Sequence, residues 1–218
     1  QRWMFAVPAA AGLGWIALLV VPFIGGLLLT LASLGALMIL GVMVRREPHL
    51  HTITMFVGML AWVTGNFLWM FGFPVFQVAY LWVAFLVLTI VGERLELARI
   101  RRLSRGAVRA FGLVVAAYVG AMALIALDAD LGIRISGLAM LGLAAWLLRY
   151  DIAWLTIRRP GLPRFVAVCL LAGYGWLVVG GVIALSNGML WAGPTYDAML
   201  HAILLGFVFS MIFGHAPI

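Results

Sequence analysis

The chain has no lysine, one cysteine and only seven acidic residues in 218 positions. Each shortage removes a class of chemistry. Without a lysine amine no retinal Schiff base can form within this stretch. Cys169 stands alone in an apolar run, which excludes internal disulfides, thiolate ligation of an iron–sulfur cluster and C-x-x-C-H haem attachment. Neither a phosphate-cradling G-x-x-x-x-G-K-[ST] loop nor an H-E-x-x-H zinc pair occurs. Charged residues of both signs amount to 10%.

What fills the chain instead is hydrocarbon. Hydrophobic residues make up 66%, and the mean hydropathy is +1.18. A water-soluble domain cannot hide that much apolar surface, so the composition predicts an all-α, polytopic transmembrane helix bundle forming a single domain over 1–218. The basic balance, with a pI near 10.8, does not point to nucleic acid, because the arginines sit in short loops between apolar runs.

Runs of about 20 apolar residues predict about eight spans, roughly 3–21, 25–44, 52–71, 75–92, 108–127, 132–148, 164–186 and 196–216. The first two are parted only by PFIGG, a tight-turn sequence. Thirteen of the fourteen arginines fall in alternate loops, leaving only Arg134 on the other side, beside Asp128 and Asp130. Positive charge is retained inside, so the expected topology has both ends cytoplasmic in a bacterial inner membrane. An opening Gln and a last run stopping at HAPI lead us to expect further helices at either end. Two inner loops, GERLELARIRRLSR and YDIAWLTIRRPGLPR, have apolar stripes (Leu97, Ile100 and Leu103; Tyr150, Trp154 and Ile157) among arginines. They read as surface helices meeting anionic lipid headgroups. Trp3, Trp69, Trp154 and Trp191 fall near span ends, as an interfacial belt requires, whereas Trp15, Trp62, Trp82 and Trp176 fall near span centres.

The last run, HAILLGFVFSMIFGH, carries a histidine at each end. On a regular helix, fourteen residues advance about 21 Å and stop about 40° short of four turns. His201 and His215 would then share a face, one near each leaflet, as axial ligands of two stacked haems would. Ala202, Gly206, Ser210 and Gly214 form a ridge of small side chains on the same run, a pattern that lets helices approach closely. Asp197, one turn before His201, is placed to accept its ring N–H and fix the tautomer, while Thr195 and Asp197 also suit a helix start. His49 and His51 in RREPHLH share the depth of His215 and Glu93, a donor set suited to copper, iron or haem. Asn66, in TGNFLW, is a polar group at outer-half depth that either faces such a site or bonds a neighbouring helix.

The pattern H-A-x-x-x-G-x-x-x-x-M, made by His201, Ala202, Gly206 and Met211, resembles a helix of the NnrS family of polytopic bacterial membrane proteins. The likeness covers about twenty residues, and the W-H-A-H-E-type motif of that family is not found. What the resemblance implies is association with haem, copper and nitric-oxide metabolism, with His201 as a candidate metal or haem ligand. Three functions stand as expectations. The first is an inner-membrane protein that binds haem b or copper, with a redox or nitric-oxide-related role. The second is a non-catalytic accessory or assembly subunit packed against a respiratory or photosynthetic complex. The third is a small-solute transporter, which the scarcity of mid-span charge disfavours.

Overall fold

The computed structural model describes residues 5–215. Among them every regular element is helical: α1 (Ala6–Leu18), α2 (Pro22–Arg46), α3 (Leu50–Met70), α4 (Val75–Ala98), α5 (Arg105–Ile125), α6 (Ala129–Tyr150), α7 (Ala153–Thr156), α8 (Leu162–Asn187), α9 (Pro194–His201) and α10 (Phe209–His215). A π-helical segment, Ala202–Val208, joins α9 to α10 in one continuous rod. Among the described residues, seven helices are long and apolar enough to cross a membrane. The exception is α1. Its 13 residues reach only about 20 Å, against the roughly 30 Å of a hydrocarbon core. The expected first span, 3–21, is therefore a shorter helix, and its opening residues lie outside those described. The chain divides into two compact units, Gln1–Gly92 and Glu93–Ile218.

In the first unit, α1 folds back on α2 through the turn before Pro22, whose fixed φ suits a first helical position. The approach is close enough that a Cβ on Gly25 would lie 2.5 Å from the backbone nitrogen of Leu18. Further along, Gly14 meets Leu29 and Gly35 meets Val7. The link to α3 is locked by the Thr52 hydroxyl, which accepts from the His49 N–H at 3.2 Å and lies 2.7 Å from the Glu47 carbonyl. Asn66 ties three helices together: its amide donates to the Leu29 carbonyl at 3.2 Å, and its oxygen accepts from Trp82 Nε1 at 3.1 Å.

In the second unit, α6 and α8 cross at glycine. A Cβ on Gly137 would stand 2.6 Å from the Gly181 carbonyl oxygen, so only hydrogen fits. Arg134 has a structural task at the far end of α8. Its guanidinium donates to the carbonyls of Leu185 and Ser186 at 2.9 and 3.0 Å and pairs with Asp130 at 2.8 Å. It thereby serves helix-end carbonyls that have no partner within the helix. Gly188 closes that helix at φ +68°, where a side chain would meet Asp130. Phe111, Tyr118, Leu143, Tyr174, Leu177 and Phe207 fill the core of this unit.

Neither expected surface helix forms as such. GERLELA is the continuation of α4, followed by a single 3₁₀ turn, Arg99–Arg101. Arg94, Leu95 and Ala98 are buried there, because α4 packs in the bundle past the apolar run. The second loop holds only the one-turn α7, with Asp151 fully buried before it and Trp154 half exposed.

Candidate functional site

The rod α9–π–α10 lies along α8, and the small ridge is the reason. Gly206 faces the root of the Trp176 side chain, Gly214 faces Leu170 and Cys169, and Ser210 and Met211 cover Gly173. Close packing, expected from the four-residue spacing, is what the ridge provides.

The shared face of His201 and His215 does not survive. The π segment begins at Ala202, directly after His201. A turn closed i→i+5 carries an extra residue, which rotates the rest of the rod, His215 included, by about 100° relative to a regular helix. The two imidazoles consequently meet different surroundings. His201 is exposed and lines a cavity of about 470 Å³ with Trp176, Val179, Ile183, Ala198, Leu205 and its neighbours. Its Nδ1–H donates to the Asp197 backbone carbonyl at 2.6 Å. The sequence expectation gives that role to the Asp197 carboxylate; the i−4 carbonyl takes it instead, as helix geometry places that oxygen one turn back. The helix itself starts at Pro194 after Gly193, not at Thr195. With Nδ1–H committed, Nε2 is the nitrogen open to a ligand.

His215 stands in a polar cluster. Its Nδ1–H donates to the Met211 carbonyl at 2.7 Å. Its Nε2 lies 3.2 Å from Glu93 Oε1 and 3.3 Å from Arg94 Nη2. Arg94 extends toward Asp151, with Nη1 3.9 Å from Oδ2. Asp151 Oδ1 accepts from the Ala153 N–H at 2.8 Å, and Arg101 donates to the Asp151 carbonyl at 3.0 Å. The Tyr174 hydroxyl sits against both Arg94 and Asp151. Three buried atoms here have no hydrogen-bond partner: Arg94 Nε, Asp151 Oδ2 and the Tyr174 hydroxyl. So many polar groups at one buried place in an apolar chain cost free energy to desolvate.

The profile of a family described as "Domain of unknown function (DUF8744)" matches residues 1–218. The chain belongs to the DUF8744 family. No curated protein and no solved structure matches it.

Of the donors picked out in this DUF8744 chain, Glu93 and His215 come together, and His215 also meets Arg94. His49 and His51 lie side by side in the first unit, ring centroids 5.5 Å apart, with His49 capping α3 and His51 buried. Among the described residues no group of three or more His, Cys, Asp or Glu side chains is placed to hold a metal ion. Asn66 faces a second cavity of the DUF8744 chain, about 550 Å³ within the first unit. Its walls include Trp15, Trp62, Trp69 and Trp82, with Trp62 stacked on Phe85 at 4.7 Å. Three of the mid-span tryptophans thus share one wall, while the fourth, Trp176, borders the His201 cavity.

Arg94, Asp151 and Tyr174 are the groups that sequence reasoning passes over. Arg94 stands in a run of arginines and Asp151 beside Arg149, so both read as solvated loop charges. One signal is available. Asp151 is the sole acid in an otherwise basic loop, and a lone acid there suits a specific arginine.

Proposed function

We propose that this DUF8744 protein is a multi-pass protein of the bacterial inner membrane, its arginine-rich ends cytoplasmic, which holds a b-type haem on His201 in a redox or nitric-oxide-related role. The observation that carries the reading is the His201 imidazole. One nitrogen is fixed by a backbone carbonyl, and the ring lines an apolar cavity. A metal-ligating histidine has this arrangement, because the bond at the far nitrogen sets the tautomer and the ring direction.

The cavity supports haem over copper. Trp176, Val179, Ile183 and Leu205 offer flat, apolar walls to a macrocycle, whereas a copper ion calls for several nitrogen or sulfur donors together. The π segment beginning beside His201 is a second support, since such segments concentrate at functional sites. The likeness of the His201–Met211 stretch to an NnrS helix agrees with it. When bound, haem supplies one-electron or gas-binding chemistry set by its axial ligand and pocket polarity. The chain's part is to present Nε2, to orient the ring through the Asp197 carbonyl, and to exclude water with Trp176 and Leu205. His215, with both ring nitrogens engaged, is not carried as a ligand here.

The test is the visible spectrum of protein purified after expression with a haem precursor. A Soret band present in the parent and lost in His201→Ala, with His49→Ala unchanged, supports the reading. A colourless parent protein overturns it and favours a packing subunit without a cofactor.

A further inference from the structure

The polar cluster of the second unit lies outside the His201 cavity, and its geometry contains a choice. His215 Nδ1–H is committed to the Met211 carbonyl whatever the charge of the ring. A neutral ring therefore has a bare Nε2, which accepts from Arg94 Nη2 at 3.3 Å and can only repel Glu93 Oε1 at 3.2 Å. A protonated ring reverses both: Nε2–H donates to Glu93, and the arginine faces a like charge. One nitrogen cannot satisfy both neighbours at once.

Arg94 has somewhere else to go. Its Nη1 is 3.9 Å from Asp151 Oδ2, beyond hydrogen-bond reach, and both Oδ2 and the Arg94 Nε are unpartnered although the side chains are 0% and 4% exposed. The Tyr174 hydroxyl beside them is unpartnered too. Buried donors and acceptors left unmade are costly, so a second position of Arg94, closed on Asp151, is open to it by a movement of about 1 Å.

We propose that His215 is a proton-binding site whose occupation moves Arg94 from His215 to Asp151. The step balances simply. A proton from the aqueous rim, where the Glu93 and His215 side chains are 42% and 34% exposed, binds the Nε2 lone pair. The Arg94-to-His215 hydrogen bond is lost, an Nε2–H bond to Glu93 forms, and Arg94 donates to Asp151 Oδ2. No other covalent bond changes. In the neutral state Arg94 links α4 to α10; in the protonated state it links α4 to the end of α6. Two alternative partners of one buried group are what a switch requires.

Charged and titratable groups reach this cluster from several elements. Glu93, Arg94 and the exposed Glu96 come from α4, and Arg101 comes from the turn after it. Arg149 and Asp151 come from the end of α6, and Tyr174 and Cys169 from α8, the last opposite Gly214. Among the described residues, Glu93 is the carboxylate within hydrogen-bond reach of Nε2, and Asp151 Oδ2 is the unmade acceptor beside Arg94.

The experiment is nitrogen NMR of arginine-labelled protein in lipid nanodiscs, with the Arg94 side-chain signal assigned by Arg94→Lys. Spectra at about pH 8 and about pH 5 span the range in which histidine changes charge. The Arg94 Nε–H signal should move and exchange more slowly with water at the lower pH, and stay fixed in His215→Gln. An Arg94 signal that is the same at both pH values, or that moves equally in His215→Gln, overturns the proposal. If His215→Gln does not fold, Glu93→Gln decides in its place. A reduced response upholds the switch and an unaltered one refutes it.

Discussion

Gly206 gives the sharpest mechanical test of how the terminal rod meets α8. A Cβ built there would lie 2.4, 2.6 and 2.7 Å from Cγ, Cβ and Cδ2 of Trp176. Carbon atoms in contact prefer about 3.5–4.0 Å, so Gly206→Ala is short of room by about 1 Å. The obstructing atoms are at the root of the tryptophan side chain, where no rotation far along the chain relieves them. Either Trp176 changes rotamer or the helices part, and overpacking of this kind costs about 1–3 kcal/mol. Two other glycines serve as controls. At Gly214 the nearest atom is the mobile end of Leu170, 3.3 Å away, and at Gly175 nothing lies within 4 Å. Alanine at Gly175 gains helix propensity, up to about 1 kcal/mol. Reversible unfolding in mixed detergent micelles should therefore rank Gly206→Ala well below Gly214→Ala, and Gly214→Ala at or below Gly175→Ala. Equal stability of the Gly206 and Gly175 variants would refute the packing described, and with it the placing of Trp176 as a wall of the His201 cavity.

Removing one member of the buried Arg94–Asp151 pair leaves a charge without its partner, so Arg94→Met or Asp151→Leu alone should lower unfolding free energy by about 3–5 kcal/mol. The double variant should recover most of that loss in the same assay. Asn66→Leu removes the link to the Leu29 carbonyl and leaves Trp82 Nε1 without its acceptor, which should cost about 1–3 kcal/mol and shift the fluorescence of the tryptophan-lined cavity. Reporter fusions after Arg102 and after Arg159 should read cytoplasmic, and fusions within SNGMLWAGPTY periplasmic, because thirteen arginines lie on one side.

Helices are legible in the sequence because long apolar runs parted by short polar loops match the length and composition of membrane-crossing helices. α2 through α6 and α8 lie close to their expected places for that reason. The length of α1 is overestimated, since hydropathy counts Leu19, Val20 and Val21, which form the turn before Pro22. The ridge from Ala202 to Gly214 is legible as packing because small side chains four residues apart let another helix come close. The common face of His201 and His215 is not, because a single extra residue per turn is invisible in composition yet resets the angle of everything after it. At the Arg94 cluster, His215 and Glu93 stand out by their chemistry. Arg94 and Asp151 are hidden among loop charges, because burial of a charge depends on which helices meet there, a long-range property no local window contains.

The most direct measurement is the iron–nitrogen geometry of the haem-loaded protein, by cryo-electron microscopy or X-ray absorption. Iron should lie about 2.0–2.2 Å from an imidazole nitrogen, that nitrogen being Nε2 of His201, with the macrocycle against Trp176 and Leu205. Iron bound instead at His49, His51 or His215, or haem that leaves His201 unligated, would contradict the assignment.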